Sequence, residues 1–194
     1  MNGWMQLVNC RQRNSLGRNP PAMFSQDFKE LLSAFNEHRV KYLIVGGYAV
    51  AVHAQPRATK DLDLFVQPEP ENAKAVYAAL AKFGAPLDGL KPDDLIAPNS
   101  FFRMGNPPQM IEVLPHISGV KFDDAWQRRI EEVIDERSGL KVFVISAEDF
   151  VVNKLASARL QDLADVDAVR KAAESQRPKV KKNRADIAEG GPKQ

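Results

Sequence analysis

Asp61 and Asp63 stand one residue apart inside an apolar run that also holds Leu62, Leu64, Phe65 and Val66. In an extended strand residues i and i+2 face the same side, so the two carboxylates project together. Like charges that close resist ionisation unless a cation or hydrogen-bond donors compensate. The pair therefore either holds something between its oxygens or faces bulk water. A third acid, Glu112, interrupts a second apolar run between Met110, Ile111, Val113 and Leu114. Three carboxylates on neighbouring strands form an oxygen-only donor set of the kind Mg²⁺ selects, with waters and substrate phosphates completing the octahedron. Two such ions about 3.5–4 Å apart activate an attacking oxygen and stabilise a leaving one in phosphoryl transfer. Upstream, Gly46-Gly47 follows an apolar run and precedes a helix-forming stretch, which lets backbone N–H groups approach a polyphosphate closely. Each signal has a plainer reading, since a glycine pair after a strand is usually a tight turn and Asp-x-Asp is often an exposed edge face. Their combination in this order is the stronger observation.

The elements that must position these residues alternate along the chain. "FSQDFKELLSAFNEHRV" carries Ser25 as a cap and Phe28, Leu31, Leu32 and Phe35 at i, i+3, i+4, i+7, which predicts a helix. "KYLIV" (41–45) is a continuous apolar run of strand length, and "YAVAVHA" after the glycine pair suits a short helix. "LDLFV" (62–66) is a second strand; 68–83 is a helix with proline near its start and Gly84 after its end. The polar, Pro-rich stretch 85–98 is expected to have nothing to pack it. "SFFRMG" (100–105) and "QMIEVLP" (109–115) predict a hairpin around Asn106-Pro107-Pro108, "FDDAWQRR" a helical turn, and "IEEVID" with "LKVFVI" a second strand pair. Ser146 and Asp149 form a capping-box-like start to "AEDFVVNKLASARL", and a last helix runs through "DLADVDAVRKAA". The expected class is α/β (α+β): a mixed, twisted sheet flanked by helices, with a C-terminal helical segment from about residue 146.

Composition bounds the rest. A chain of 194 residues, 44% apolar and 27% charged, suits one ordinary globular domain. No apolar run nears the roughly 18 residues of a membrane span, and the N-terminus lacks a secretory signal. A single cysteine, Cys10, leaves no internal disulfide and no cysteine-based zinc cluster, so cytoplasm is the default expectation. The formal charge of +2 conceals a split: the body, 24–174, holds 18 basic and 23 acidic residues, and the positive charge lies in the two tails. Residues 1–22 are expected to be a flexible upstream extension or a misplaced start, with the folded domain spanning 23–174. Residues 175–194 are expected to be a disordered basic tail, solvated unless it lies along a nucleic acid backbone.

The string "YLIVGGYAVAVHAQPRATKDLDLFV" resembles the minimal nucleotidyltransferases of the DNA polymerase β-like superfamily, especially the bacterial stand-alone proteins grouped with abortive-infection toxins. Their signature is a Gly-Gly or Gly-Ser turn, a short helix, Arg-x-Thr-x-Asp-Leu-Asp, then a third acid on a later strand. "VISAEDFVVNKLASARLQDLADVDAV" is similar to the family's C-terminal helical segment, so the likeness covers roughly 24–173. The resemblance implies a nucleotidyltransferase fold in which Gly46 and Gly47 hold the triphosphate of an NTP such as ATP. It implies Asp61 and Asp63 as ligands of Mg²⁺ or Mn²⁺, and Glu112 as a metal support or general base. Arg57, Thr59 and Lys154 complete the implied nucleotide site, Lys154 as a point charge on the leaving phosphates. Acceptors implied are a hydroxyl on RNA (tRNA included) or protein, with a cognate antitoxin or other partner protein and no membrane. The departures are Gly47 where many relatives carry serine, glutamate rather than aspartate at 112, Ala54 and Ala158 in place of glycine, and Leu160-Gln161 in place of Pro-Lys.

The other candidates have simpler roles beside these. Arg57 fits a structural ion pair with an acid as well as a phosphate contact, Thr59 a strand entry, and Lys154 a solvated helix face. Asp162 suits a helix cap and Asp165 a buried polar contact. His38, His53 and His116 share no ligand spacing and are read as structural; Trp126 beside Phe122 reads as core, and Asp123-Asp124 as a solvated turn. Two function classes follow: a metal-dependent nucleotidyltransferase, toxin or modifying member of a toxin–antitoxin system, or a catalytically degenerate binding module of the same fold. A third, nucleic-acid binding through the basic tails, would be tested by truncating 175–194.

Overall fold

The computed structural model describes residues 24–55, 59–106 and 109–175. Arg57, the Pro107-Pro108 turn, the 1–22 extension and the basic tail beyond Ser175 lie outside the described residues. Six helices and six strands follow in the order α1 (Gln26–Glu37), β1 (Tyr42–Ile44), α2 (Gly46–His53), β2 (Asp61–Val66), α3 (Pro70–Phe83), β3 (Phe102–Asn106), β4 (Gln109–Leu114), α4 (Phe122–Gln127), β5 (Ile130–Asp135), β6 (Leu140–Val144), α5 (Ala147–Ser157) and α6 (Leu160–Ser175). The strands form one mixed sheet in the order β3-β4-β2-β1-β6-β5. The pairs β2–β4 and β1–β6 are parallel, and the other neighbours are antiparallel. This is the expected α/β (α+β) architecture, a mixed sheet flanked by helices and closed by two C-terminal ones.

Local chemistry accounts for the element ends. Ser25 Oγ accepts the Phe28 N–H (3.3 Å) at the start of α1, whose Phe28, Leu31, Leu32 and Phe35 are all buried. Pro70 opens α3 and Gly84, left-handed at φ 88°, closes it. At the start of α5, Ser146 Oγ accepts the Asp149 N–H (3.1 Å), and Arg128 grips the Asp149 carboxylate from outside through Nε (3.0 Å) and Nη2 (2.6 Å).

The two faces of β2 differ. Leu62 and Leu64 are fully buried on one, beside Ile44 of β1 and Ile111 and Val113 of β4. The other carries Asp61, Asp63 and Phe65 in turn. Phe65 lies under Phe122 of α4, ring centroids 5.1 Å apart, so this face is dry at one end and acidic at the other. Trp126 stacks on Phe122 and meets Phe143 edge-on, which makes it core as expected.

Residues 85–98 correct the expectation of an unpacked stretch. Pro92–Leu95 is a 3₁₀ turn, pinned where the Lys91 N–H donates to Asp94 Oδ2 (2.8 Å), and it drives Leu95 into the core with Leu87 and Leu90 alongside. Three leucines spaced among prolines and aspartates do not show a helical or strand period, yet they bury apolar surface all the same.

Candidate functional site

Parallel pairing of β2 with β4 sets Asp63 directly beside Glu112, so the two carboxylates share one face of the sheet. Antiparallel pairing of β4 with β3 puts Arg103 on the far side of Glu112, and the Arg103 guanidinium is ion-paired with that carboxylate. On the near side the Asp63 C=O accepts the Val45 N–H (3.0 Å), which brings the start of α2 over the Asp63 side chain. Asp63 is thus held between the glycine pair and the third acid.

The glycines are there for space as well as for conformation. Gly46 has φ +61°, and a β-carbon on it would come within 2.8 Å of Asp63 Cγ. A β-carbon on Gly47 would come within 2.7 Å of Thr59 Cβ. No side chain caps α2, so none of its first N–H groups is answered by a side chain at Val45. The α2 N-terminus therefore opens beside Asp63 and Thr59, and a helix N-terminus next to a cluster of acids suits a polyphosphate bridged to the acids by a cation.

Burial pushes the Asp63 carboxyl up to about 7, reinforced by the charges of Glu112 and then Asp61, while Lys154 and Arg103 pull the other way. Two acids and two cations thus all act on Asp63. Asp61 itself is exposed. Tyr48 of α2 is buried against Phe24 and Phe28, and its hydroxyl is pushed up first by burial and then by Asp61.

Lys154 corrects the reading of a solvated helix face. Its side chain is 14% exposed, and Nζ donates to Asp162 Oδ1 (2.7 Å) with Asp165 Oδ2 at 4.0 Å. Asp162 lies inside the first turn of α6, 4% exposed, rather than at its cap. Asp162 Oδ2 is buried without a hydrogen-bond partner among the described residues. Asp165 is the buried polar contact expected of it. Thr59 combines the strand-entry role with a place against Gly47. His53 is structural, with Nε2 2.7 Å from the Ile145 carbonyl oxygen. Asp123 lies in the first turn of α4 and accepts from Gln67 Nε2 (2.9 Å). A cleft of about 390 Å³ lined by Gln67, Glu69, His116 and Asp123 lies beyond the far end of β2 and contains none of the three acids.

Among the described residues, no three acidic, histidine or cysteine side chains are set closely enough to hold a metal ion as they stand. Glu112 has its carboxylate engaged by Arg103 instead. The donor chemistry nevertheless fits a hard divalent cation: all oxygen, with Asp63 raised to about 7 by burial first and by the neighbouring carboxylates second. Arg103 and Tyr48 were not among the residues singled out from sequence.

Comparison with family models gives a match over residues 23–189 to a family described as "Nucleotidyltransferase of unknown function (DUF6036)". No curated protein matches the chain. Among the described residues no helix is long and apolar enough to cross a membrane.

Proposed function

The chain belongs to a family of nucleotidyltransferases of unknown function, and from that premise we propose that it moves a nucleoside monophosphate from an NTP to a hydroxyl acceptor on RNA or protein. The observation that carries this reading is Asp63, wedged between Gly46 and Glu112 with its carboxyl pushed up to about 7. Keeping three acids on one face disfavours the empty site, and that cost is understandable where a cationic ligand relieves it.

Asp61 and Asp63 would hold Mg²⁺ or Mn²⁺, with Glu112 joining once it leaves Arg103. The cation, when bound, supplies charge neutralisation of the triphosphate and a more acidic acceptor hydroxyl. The chain's own residues do the rest. Gly46 and Gly47, bare because Asp63 and Thr59 pack against them, and the α2 N–H groups would receive phosphate oxygens. Thr59 sets the floor beneath Gly47, and Arg57 is suited to a phosphate. Lys154, close enough to lower Asp63, would supply a positive charge for the departing pyrophosphate. Glu112 is the group to take the acceptor proton. Membership of the polymerase β-like superfamily, and a role as toxin or modifying partner beside an antitoxin, rest on the sequence resemblance.

The Arg103–Glu112 ion pair favours a second reading, a degenerate module that binds nucleotide or partner without turnover. Labelled ATP, GTP, CTP and UTP, each incubated with the protein, Mg²⁺ or Mn²⁺, and total cellular RNA plus protein, separate the two. Label transfer that disappears in Asp61→Ala and Asp63→Ala supports the transferase. No transfer and no metal-dependent nucleotide binding overturn it in favour of the module.

A further inference from the structure

Among the described residues Phe101 is the one phenylalanine, tyrosine or tryptophan left more than half in water, at 60% exposure. It precedes β3, the edge strand on the acidic side of the sheet, while its neighbour Phe102 turns inward. A single exposed phenylalanine needs no explanation in itself. This one has a neighbour that gives it a direction. The Arg103 guanidinium lies 5.7 Å from the Phe101 ring centroid, which puts both side chains on the same face, and Arg103 is ion-paired with Glu112. Glu112 in turn sits in register with Asp63, and Asp63 lies against Gly46. Phe101 just before β3, one residue from each of three strands and one from a helix N-terminus therefore form a continuous line: Phe101, Arg103, Glu112, Asp63, Gly46.

On the proposed reading of the site, on which this inference rests, the triphosphate occupies the Gly46 end of that line. The acceptor must then approach from the other end, over Glu112. We infer that Phe101 and Arg103 form the acceptor platform, the ring stacking the last base of a single-stranded RNA end and the guanidinium meeting its phosphate. An aromatic face with an arginine beside it is what a nucleobase and its phosphate require, whatever the base identity. Arg103 is 53% exposed, so it can exchange Glu112 for a phosphate without leaving the face. Two strand spacings, about 10 Å, separate the platform from Asp63, on the order of one nucleotide. The body's 18 basic against 23 acidic residues favour a short contact at the RNA end over a long basic groove.

Fluorescence anisotropy with a 5′-labelled eight-nucleotide single-stranded RNA, in EDTA and without NTP, tests the platform apart from catalysis. Phe101→Ala is expected to weaken binding about tenfold, Phe101→Trp to restore it, and Arg103→Ala to weaken it and lower the salt slope by about one. Thermal melting of each variant reports folding, and a ring this exposed should leave the melting temperature unmoved. Equal RNA affinity of Phe101→Ala and the wild type overturns the platform even where label transfer proceeds. Label found on protein but not on RNA also overturns it while leaving the transferase standing. Loss of RNA binding in Phe101→Ala with Trp rescue upholds the platform even where no nucleotide is ever transferred.

Discussion

Gly46 and Asp63 are packed so closely that a β-carbon on the glycine would stand 2.8 Å from the aspartate's Cγ and closer still to its Oδ2. The glycine also holds φ +61°, in the left-handed region that a side chain penalises by about 1 kcal/mol. Gly46→Ala is therefore expected to cost ~2 kcal/mol in urea denaturation and to abolish metal-dependent nucleotide binding. Combining it with Asp63→Gly should recover part of the stability and none of the binding. Simple additivity of the two stability losses would show that the apposition is not what makes the glycine necessary.

Asp63 gives the metal-free protein a pH-dependent contribution to stability. Its folded value of about 7 lies above the ordinary 3.8, because burial and the charges of Glu112 and Asp61 disfavour the anion. The folded state thus keeps this proton longer than the unfolded chain does. The associated stability is complete below about pH 4, falls as pH rises, and is gone above about pH 7. Each pH unit in that window is worth up to about 1.4 kcal/mol, reduced here by partial solvent access. Asp63→Asn should therefore track the wild type near pH 4 and exceed it by ~2 kcal/mol at pH 8 in EDTA. Parallel stability curves from pH 5 to 8 would rule this account out.

Lys154 is held by two buried aspartates, which makes its removal a structural as well as a chemical change. Lys154→Met leaves Asp162 and Asp165 facing each other without their cation, at an expected cost of about 3–5 kcal/mol at pH 7. The triple variant with Asp162→Asn and Asp165→Asn should regain most of the melting temperature. If the nucleotide role also holds, that refolded triple variant stays inactive. Full activity there would confine Lys154 to holding α5 against α6.

The helices, the hairpin strand pairs and the common face of Asp61 and Asp63 were readable because period and capping speak locally. Ser25, Gly84 and the alternation through Asp61 and Asp63 carry their own geometry. The parallel β2–β4 pairing was not readable from either strand, since nothing local in "LDLFV" names "QMIEVLP" as its neighbour. Arg103 was legible in principle: once Asn106 pairs with Gln109, the hairpin register sets Arg103 opposite Glu112. Lys154 misled because a lysine on an amphipathic helix looks alike whether water or two aspartates surround it. Leu95 was missed because its burial follows a 3₁₀ turn among prolines, which has no apolar period to detect.

The same Arg103–Glu112 pair decides between the transferase and the degenerate module. While the guanidinium engages Glu112, the third carboxylate is ion-paired with a cation of the chain's own. Arg103→Met removes the competing cation while keeping the stem's apolar cover. It leaves Glu112 free to face Asp63, and the repulsion between them should rise. Calorimetric titration with Mn²⁺ is then expected to show at least tenfold tighter binding to Arg103→Met than to the wild type, and Glu112→Gln in the same background should reverse the gain. A site that has merely lost its use would bind Mn²⁺ no better once the arginine is gone. That outcome, with or without a change in melting temperature, would assign Arg103 and Glu112 to the surface of an interaction module.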